Sequence, residues 1–296
     1  MPGAMFLGLV THPSTRFRES STPDGLLPTL TALLSDRGMT TTLAIHGTND
    51  YDAGFLAIDR AQIAASIDAE LDVESRWRTY VDPSVPRWSL GPFMQVRRLY
   101  RRRKFLPSGR RAVRMDDAGA RMVQRLVNIE LAHLSLMRQA VACGSDWALI
   151  AEDDATCSDV AQLAEALDVF SEAQSMASQP KYVNVSRSFD HGRLRVGSLL
   201  SDRGAWGTAG DGVRVLTSER PITNTVCAVL YRTTFLEKLL AVMDSIPLSP
   251  VVPIDWKLNE AIMRMSAAGE LGPGDCWVVE PAPMIQSSMV LETSRG

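Results

Sequence analysis

The alternation of apolar and polar positions predicts a strand, a helix and a second strand at the start of the chain. The apolar run Met5 to Val10 is typical of a buried strand. Leucines then recur with the period of an α-helix, and Gly38 stands where the end of a helix favours a left-handed residue. Thr40 to Ile45 predicts the second strand. Because the joints are short, this order indicates a βαβ unit in a parallel sheet.

Helical and strand-like segments continue along the chain. The predicted helices are Ala57 to Tyr80, Asp116 to Cys143 with Gly144 as its stop, one capped by Ser158 that runs to about Ala177, Thr234 to Met243, and Asp255 to Ala268. The predicted strands are Trp147 to Ala151, Lys181 to Ser186, Ile222 to Tyr231, and Cys276 to Glu280 as the last. The glycine-rich residues 192–212 are expected to form a loop, in which Trp206 either stacks on a sugar or anchors the core.

These elements predict the fold class and its organisation. We expect a single Rossmann-like α/β domain with a mostly parallel central sheet, since strands and helices alternate through the first half. Residues 1–157 are expected to bind a nucleotide, and the loop-rich residues 158–296 to shape the acceptor site.

One predicted strand ends abruptly in three acids. The apolar run Trp147 to Ala151 is followed directly by Glu152, Asp153 and Asp154. In open α/β sheets ligands bind beyond the carboxyl ends of the strands, and hard divalent cations prefer oxygen ligands. The pattern therefore favours a metal site. Two structural alternatives also fit, namely a solvated loop and the first turn of a helix, where carboxylates suit the positive end of the dipole.

Charge is distributed unevenly along the chain. The 296 residues carry a net charge of −3, yet Arg97 to Arg114 contains nine basic residues and no acid. An acidic body with one basic segment argues against nucleic-acid binding, which needs a broad basic face. The segment fits a solvated helix face, an attraction for diphosphate, or a dock for an anionic membrane surface or lipid-linked acceptor.

The cysteines and the apolar runs indicate the cellular compartment in which the protein is expected. The four cysteines, at 143, 157, 227 and 276, form neither a C-x-x-C pair nor a zinc pattern, so reduced thiols are expected. The N-terminal segment lacks the features of a signal peptide, and no apolar run approaches the ~18 residues of a membrane span. We therefore expect a cytoplasmic protein, peripheral at most at the inner membrane face.

Three segments, in order, resemble one enzyme family. NIELAHLSLMRQAVACG followed by WALIAEDDA resembles the Ser-His-Leu helix and Glu-Asp-Asp strand of family 25 glycosyltransferases, the lipopolysaccharide and collagen galactosyltransferase type. TVCAVLYRTTFLEKLL is similar to the strand and helix after that family's metal site, and PIDWKLN is similar to its Pro-x-Asp segment. The resemblance covers Met122 to Asn259. The N-terminal MFLGLVTHPSTRF is more similar to small glycosyltransferases of actinobacteria and their phages.

The resemblance implies a glycosyltransferase A fold and a nucleoside-diphosphate sugar as donor, a UDP-sugar above all. The acceptor would be a hydroxyl of a glycan, a lipid-linked sugar or a protein. A divalent cation, Mn²⁺ or Mg²⁺, stabilises the departing diphosphate in such enzymes. The resemblance makes Asp154 the direct metal ligand and Glu152 a ligand or ribose contact, with Asp153 as a neighbouring donor contact. Many enzymes of this fold take a further ligand from a C-terminal histidine, whereas this chain has Gln286 in PMIQSSM.

Further candidates follow from the chemistry of an inverting transfer, which needs a base beside the acceptor hydroxyl. Asp255 in PIDWKLN is that candidate, and its structural alternative is the N-cap of the following helix. His133 stands at the position of the family's histidine, with Ala132 in place of the serine; the alternative is a core histidine satisfied by backbone. The candidate donor contacts are the residues that follow the first two strands: Thr11, His12, Arg16 and Asp50.

Two other classes of function use similar residues. A metal-dependent phosphoryl or nucleotidyl transferase also needs clustered acids and a basic clamp, but the chain has no P-loop and no second acidic motif at a recognisable spacing. A catalytically silent nucleotide-sugar-binding module would keep the fold without the reaction. Hydrolysis of a nucleotide sugar to free sugar and nucleoside diphosphate would distinguish a transferase from both.

Overall fold

The chain opens with the βαβ unit that the periodicity predicts. The computed structural model describes residues 3–11, 25–47, 60–106, 118–173, 180–187, 200–206, 213–218, 220, 226–246 and 252–286. Strand β1 (Ala4–Thr11), helix α1 (Leu26–Asp36) and strand β2 (Thr40–Gly47) follow one another, and the two strands pair in parallel. The leucines of α1 are buried, and Gly38 has a φ of 67°, which lets the chain reverse after the helix.

Six further helices lie in the described part of the chain. They are α2 (Arg60–Val81), α3 (Gly91–Phe105), α4 (Ala118–Ala142), α5 (Val160–Ala173), α6 (Thr233–Asp244) and α7 (Ile254–Ala267), with a 3₁₀ turn at Arg87–Leu90. One predicted cap is wrong. Asp159 accepts a hydrogen bond from the backbone N–H of Gln162 at 3.0 Å and caps α5, because the hydroxyl of Ser158 donates to the carbonyl of Pro283 instead.

The remaining strands complete a central mixed sheet. They are β3 (Trp147–Glu152), β4 (Ala155–Cys157), β5 (Tyr182–Asn184), β6 (Ser186–Arg187), β7 (Leu200–Trp206), β8 (Val213–Ser218), β9 (Ala228–Arg232), β10 (Cys276–Glu280) and β11 (Met284–Gln286). The large sheet has the order β2-β1-β3-β9-β5-β10-β8-β7, and β4-β11-β6 form a small second sheet. Among the described strands of the large sheet, six of eight run in one direction, and only β8 and β9 oppose them. The fold is therefore α/β with a mixed, mostly parallel sheet, compatible with a Rossmann-like fold.

Two strand predictions need correction. The segment Cys276–Glu280 is a strand as predicted, but it is not the last, because β11 follows after three residues. A three-residue strand carries no period that a sequence pattern can reveal. The segment expected to be a loop around Trp206 contains β7, whose pairing with β8 holds it on the sheet.

Helices cover both faces of the central strands. Leu7 and Leu149 point toward α1 and α5, whereas Phe6 and Ile150 point toward α4, α6 and α7, as the period of two requires. Gly8 permits the close approach of α4, since a Cβ there would lie 3.3 Å from a methyl of Leu136. Within the described ranges, no helix combines the length and the apolarity that crossing a bilayer requires. The predicted division into donor and acceptor halves stays a prediction.

Candidate functional site

The three acids lie where the carboxyl ends of two parallel strands meet. Glu152 ends β3 opposite Val10 of β1, and the backbone N–H of Asp153 donates to the carbonyl of Val10 at 2.9 Å. Asp153 and Asp154 form a two-residue turn into β4, and all three acids are partly buried. The helix-turn alternative is therefore wrong: the strand ends in a two-residue turn that places these carboxylates at the edge of the sheet, and the choice between a metal site and a solvated turn stays a prediction.

Gln286 joins two of these carboxylates. Its strand β11 pairs antiparallel with β4 and sets Gln286 opposite Ala155. From there the side-chain amide donates to Asp154 Oδ2 at 3.2 Å and to Glu152 Oε2 at 3.4 Å. Sequence reasoning identified Gln286 only as a departure from a family pattern. The same position is nevertheless the one that β11 brings to the acids.

His133 holds Glu152 from the opposite side. Its Nε2 lies 3.3 Å from Glu152 Oε1, and the ring is 1% exposed. Nε2 can donate to this carboxylate when that ring nitrogen carries the proton. Nδ1 is buried and has no hydrogen-bond partner in the part of the chain that the structure describes. His133 is a core histidine, as the alternative expected, but its partner among the described residues is Glu152 rather than backbone.

Asp255 lies in the first turn of α7. The N-cap of this helix is Pro253, and the carboxylate of Asp255 accepts a hydrogen bond from the backbone N–H of Trp256 at 3.0 Å. The N-cap alternative is therefore wrong by two residues, because the extended Pro253 already starts the helix. A carboxylate in the first turn is stabilised by the helix dipole without serving as the cap.

The electrostatics connect Asp255 with the acids of β3. Burial, together with repulsion from Glu152, raises the pKa of Asp255 to about 6, against opposing effects of the Trp256 N–H and of Arg101. Asp255 is therefore close enough to Glu152 for the charge of Glu152 to affect the pKa of Asp255. A carboxylate with such a pKa is ionised at neutral pH and still basic enough to accept a proton in a transition state.

Arg101 of α3 is a site residue that sequence reasoning missed. Its guanidinium pairs with Glu70 of α2, with side chains 15% and 1% exposed, and lies over the ring of Phe105 at 5.5 Å. Burial lowers the pKa of Arg101, and the nearby Asp255 opposes that shift. Within the basic segment every arginine looks alike in sequence, so the one that turns inward is not distinguishable without the packing of α3 on α2.

The packing of α2 explains how Arg101 reaches Asp255. The rings of Trp77 on α2 and Trp256 on α7 meet edge to face with centroids 5.5 Å apart. Arg76 of α2 also pairs with the buried carboxylate of Glu260 on α7 at 2.7 Å. These contacts fix α2 beside the start of α7, and α3 lies against α2.

The other arginines of α3 mostly pair with acids of α2. Arg97 pairs with Glu74 at 2.8 Å, while Arg98 and Arg102 both pair with Asp68, at 2.9 and 3.1 Å. The basic segment is thus partly neutralised by its neighbour. Residues 107–117, with the remaining arginines, lie outside the described residues.

Of the four candidate donor contacts, Thr11 is in the described part of the chain. It ends β1 at the same sheet edge as Glu152, and its hydroxyl donates to the carbonyl of His46 at the end of β2, at 3.4 Å. His12, Arg16 and Asp50 lie outside the described residues. The sheet thus brings Thr11 toward the acids, and the donor role of all four stays a prediction.

The donor atoms at this edge suit a hard divalent cation. Asp154 and Glu152 offer carboxylate oxygens, and the amide of Gln286 can turn to present its oxygen, because the two amide orientations are assigned from hydrogen bonding. No group of three or more His, Cys, Asp and Glu side chains within the described ranges is arranged to hold a metal ion. Two carboxylates and one amide nevertheless fit Mg²⁺ or Mn²⁺, which keep water and phosphate ligands.

Comparison with models of known protein families gives no match, and a search of curated proteins gives none either. The functional interpretation therefore depends on two things. One is the arrangement of Glu152, Asp154, Gln286 and Asp255, and the other is the resemblance in sequence.

Proposed function

We propose that the protein is a metal-dependent glycosyltransferase that moves a sugar from a nucleoside-diphosphate sugar to a hydroxyl acceptor with inversion. The observation that carries this proposal is the proximity of Asp255 to Glu152, whose charge adds to the effect of burial in raising the pKa of Asp255 to about 6. A metal-and-diphosphate position and a base position must be neighbours in such an enzyme. The segments WALIAEDDA and PIDWKLN, which resemble the family in sequence, meet where Glu152 lies near Asp255.

The acids of β3 and Gln286 would form the donor side. Asp154 and the amide oxygen of Gln286 would hold Mn²⁺ or Mg²⁺, with Glu152 as a further ligand or a ribose contact. The ion would stabilise the negative charge of the departing diphosphate. His133 fixes the orientation of Glu152 through its Nε2–H, as a neighbour of a ligand does in many metal sites.

Asp255 would act on the acceptor side. Its carboxylate takes the proton of the acceptor hydroxyl as the acceptor oxygen bonds to the anomeric carbon and the bond from that carbon to the diphosphate breaks. Because the pKa of Asp255 is about 6, the carboxylate is mostly ionised at neutral pH. Arg101 opposes the effect of burial and keeps the charged form accessible.

The test is a panel of nucleotide sugars with and without Mn²⁺, scored by thermal shift and by hydrolysis. A donor at 100 times its Kd stabilises the folded protein by about 2.7 kcal/mol. We expect a UDP-sugar to stabilise it in a Mn²⁺-dependent way, and slow release of free sugar and nucleoside diphosphate to follow.

The matched control is Asp153→Asn beside Asp154→Asn, because both residues lie in the same turn. Loss of the Mn²⁺ effect in Asp154→Asn, with most of it retained in Asp153→Asn, supports the assignment. If no nucleotide sugar stabilises the protein, the donor interpretation is wrong. Binding without hydrolysis or transfer would instead indicate a silent binding module, and release of nucleoside monophosphate a nucleotidyl transferase.

A further inference from the structure

Helix α3 carries large apolar side chains on the side that faces away from the protein. Val96, Leu99 and Tyr100 are 67%, 69% and 62% exposed, and Trp88, in the turn that precedes the helix, is 83% exposed. The spacing of 96, 99, 100 and 103 places these residues on one side of the helix. We call Trp88, Val96, Leu99 and Tyr100 the outer face of α3.

The inner side of α3 is already packed, so the outer face is not part of the core. Met94 and Phe105 are buried against Ile63, Ile67 and Leu71 of α2. Single exposed apolar residues are ordinary, but three on one helix face, with an exposed tryptophan in the preceding turn, are typical of an interaction site. We therefore expect the outer face to contact a binding partner.

The charges around the outer face favour an anionic occupant. Residues 60–106 contain ten basic and five acidic residues, a net charge of +5, whereas the whole chain carries −3. No acid occurs between Pro83 and Leu106. Arg102 lies at the flank of the apolar side chains with its side chain 46% exposed, and Arg103 is exposed on the same side as they are.

We propose that α3 docks flat on an anionic lipid surface, with its outer face among the lipids and its arginines at the headgroups. Tryptophan, leucine and tyrosine on one side and basic residues at the flanks are the composition of helices that lie in a membrane interface. A second copy of this chain fits less well, since two such faces would bring like charges together. A nucleic acid would leave the apolar centre of the face without a partner.

The docking does not depend on the proposed function, because it is measured as binding without donor or turnover. The experiment is cosedimentation of the full chain with vesicles of phosphatidylcholine alone and with added phosphatidylglycerol, at low and high salt. We expect binding to the anionic vesicles only, weakened by salt because the headgroup attraction is screened.

Leu99→Ser tests the apolar contact, and Val160→Ser is its matched control. Val160 is an apolar residue 45% exposed at the start of α5, outside the outer face. We expect Leu99→Ser to weaken vesicle binding about tenfold, as loss of one buried apolar side chain does. Arg103→Ala is expected to weaken it about fivefold. Val160→Ser should bind as the unchanged protein does.

The folding of each variant is checked by its thermal unfolding, which should match that of the unchanged protein because all three positions are exposed. The proposal would be overturned by no binding to anionic vesicles, by equal binding of Leu99→Ser, or by a self-association that Leu99→Ser abolishes while vesicle binding persists. Equal binding to phosphatidylcholine alone would remove the role of the arginines and contradict it as well.

Discussion

Replacing Asp255 by asparagine is expected to abolish transfer and, at neutral pH, to make the folded protein more stable. The reason is that the folded state holds this carboxylate in an environment that disfavours its charge. Burial and Glu152 raise the pKa of Asp255 from the usual 3.8 to about 6. An asparagine keeps an oxygen for the Trp256 N–H and carries no charge.

The size of the effect follows from the pKa. A shift of one unit corresponds to about 1.4 kcal/mol, so the rise to about 6 costs the ionised form about 3 kcal/mol at most. Since Asp255 is partly exposed, we expect a gain of about 1 to 3 kcal/mol in the free energy of unfolding. For a chain of this length that corresponds to about 2 to 5 °C in Tm.

The sign of the pH dependence is fixed. Between about pH 4 and pH 6 the unfolded chain ionises this group while the folded protein keeps the proton, so the group's contribution to stability is lost as pH rises. Above about pH 6 the loss is complete and constant. The variant should therefore gain little at about pH 4.5 and the full amount at about pH 7.5.

The assay is thermal unfolding of both proteins at these two pH values without donor, together with the transfer rate. Asp159→Asn is the control, because Asp159 caps α5 and asparagine caps helices equally well. It should change neither activity nor the difference between the two pH values. A loss of stability in Asp255→Asn at about pH 7.5, or an equal change at both pH values, would refute the electrostatic reasoning. Unchanged turnover would remove only the assignment of the base.

Three further changes test other parts of the structure. Gln286→Ala should weaken the affinity for Mn²⁺ about 10-fold or more, which is measured as a smaller Mn²⁺-dependent thermal shift, and Gln286→His should retain the affinity. Equal shifts in all three proteins would contradict a ligand role. Glu130→Ala leaves the buried Lys257 without its carboxylate partner. The free energy of unfolding, measured with urea, should fall by about 3 to 5 kcal/mol, and a fall of less than ~1 kcal/mol would contradict the pairing. In the native protein a thiol reagent should label the exposed Cys143 well before the buried Cys227. Burial and two neighbouring carboxylates raise the pKa of the Cys227 thiol, so less of the reactive thiolate is present. Labelling in the opposite order would contradict this.

Local periodicity was sufficient for the elements that pack by one regular face. The leucines of α1, the run before Glu152 and the stop at Gly144 each have a physical signature within a few residues, and the structure confirms them. In the candidate site, the position of the acids at the edge of the sheet was predictable from the sequence in the same way. The acids at the end of β3 follow from sheet geometry, which is a property of the strand itself.

The parts that sequence could not supply depend on neighbours far away in the chain. Gln286 reaches Asp154 only because the short β11 pairs with β4. His133 finds Glu152 because α4 crosses the sheet at that point, and no helical pattern encodes the partner of a buried ring. Arg101 differs from the other arginines of α3 in its burial beside Glu70, which the packing of α3 on α2 produces.

The amide of Gln286 has a consequence for the protein when no cation is bound. By donating to both Asp154 and Glu152, it keeps two like charges side by side without help from an ion. The amide is a neutral spacer, so a chelator should leave the fold at this sheet edge intact. Binding of a cation then requires the side-chain amide of Gln286 to rotate so that its oxygen faces the ion, and it does not require the strands to assemble. Metal uptake should accordingly be fast, reversible and independent of refolding.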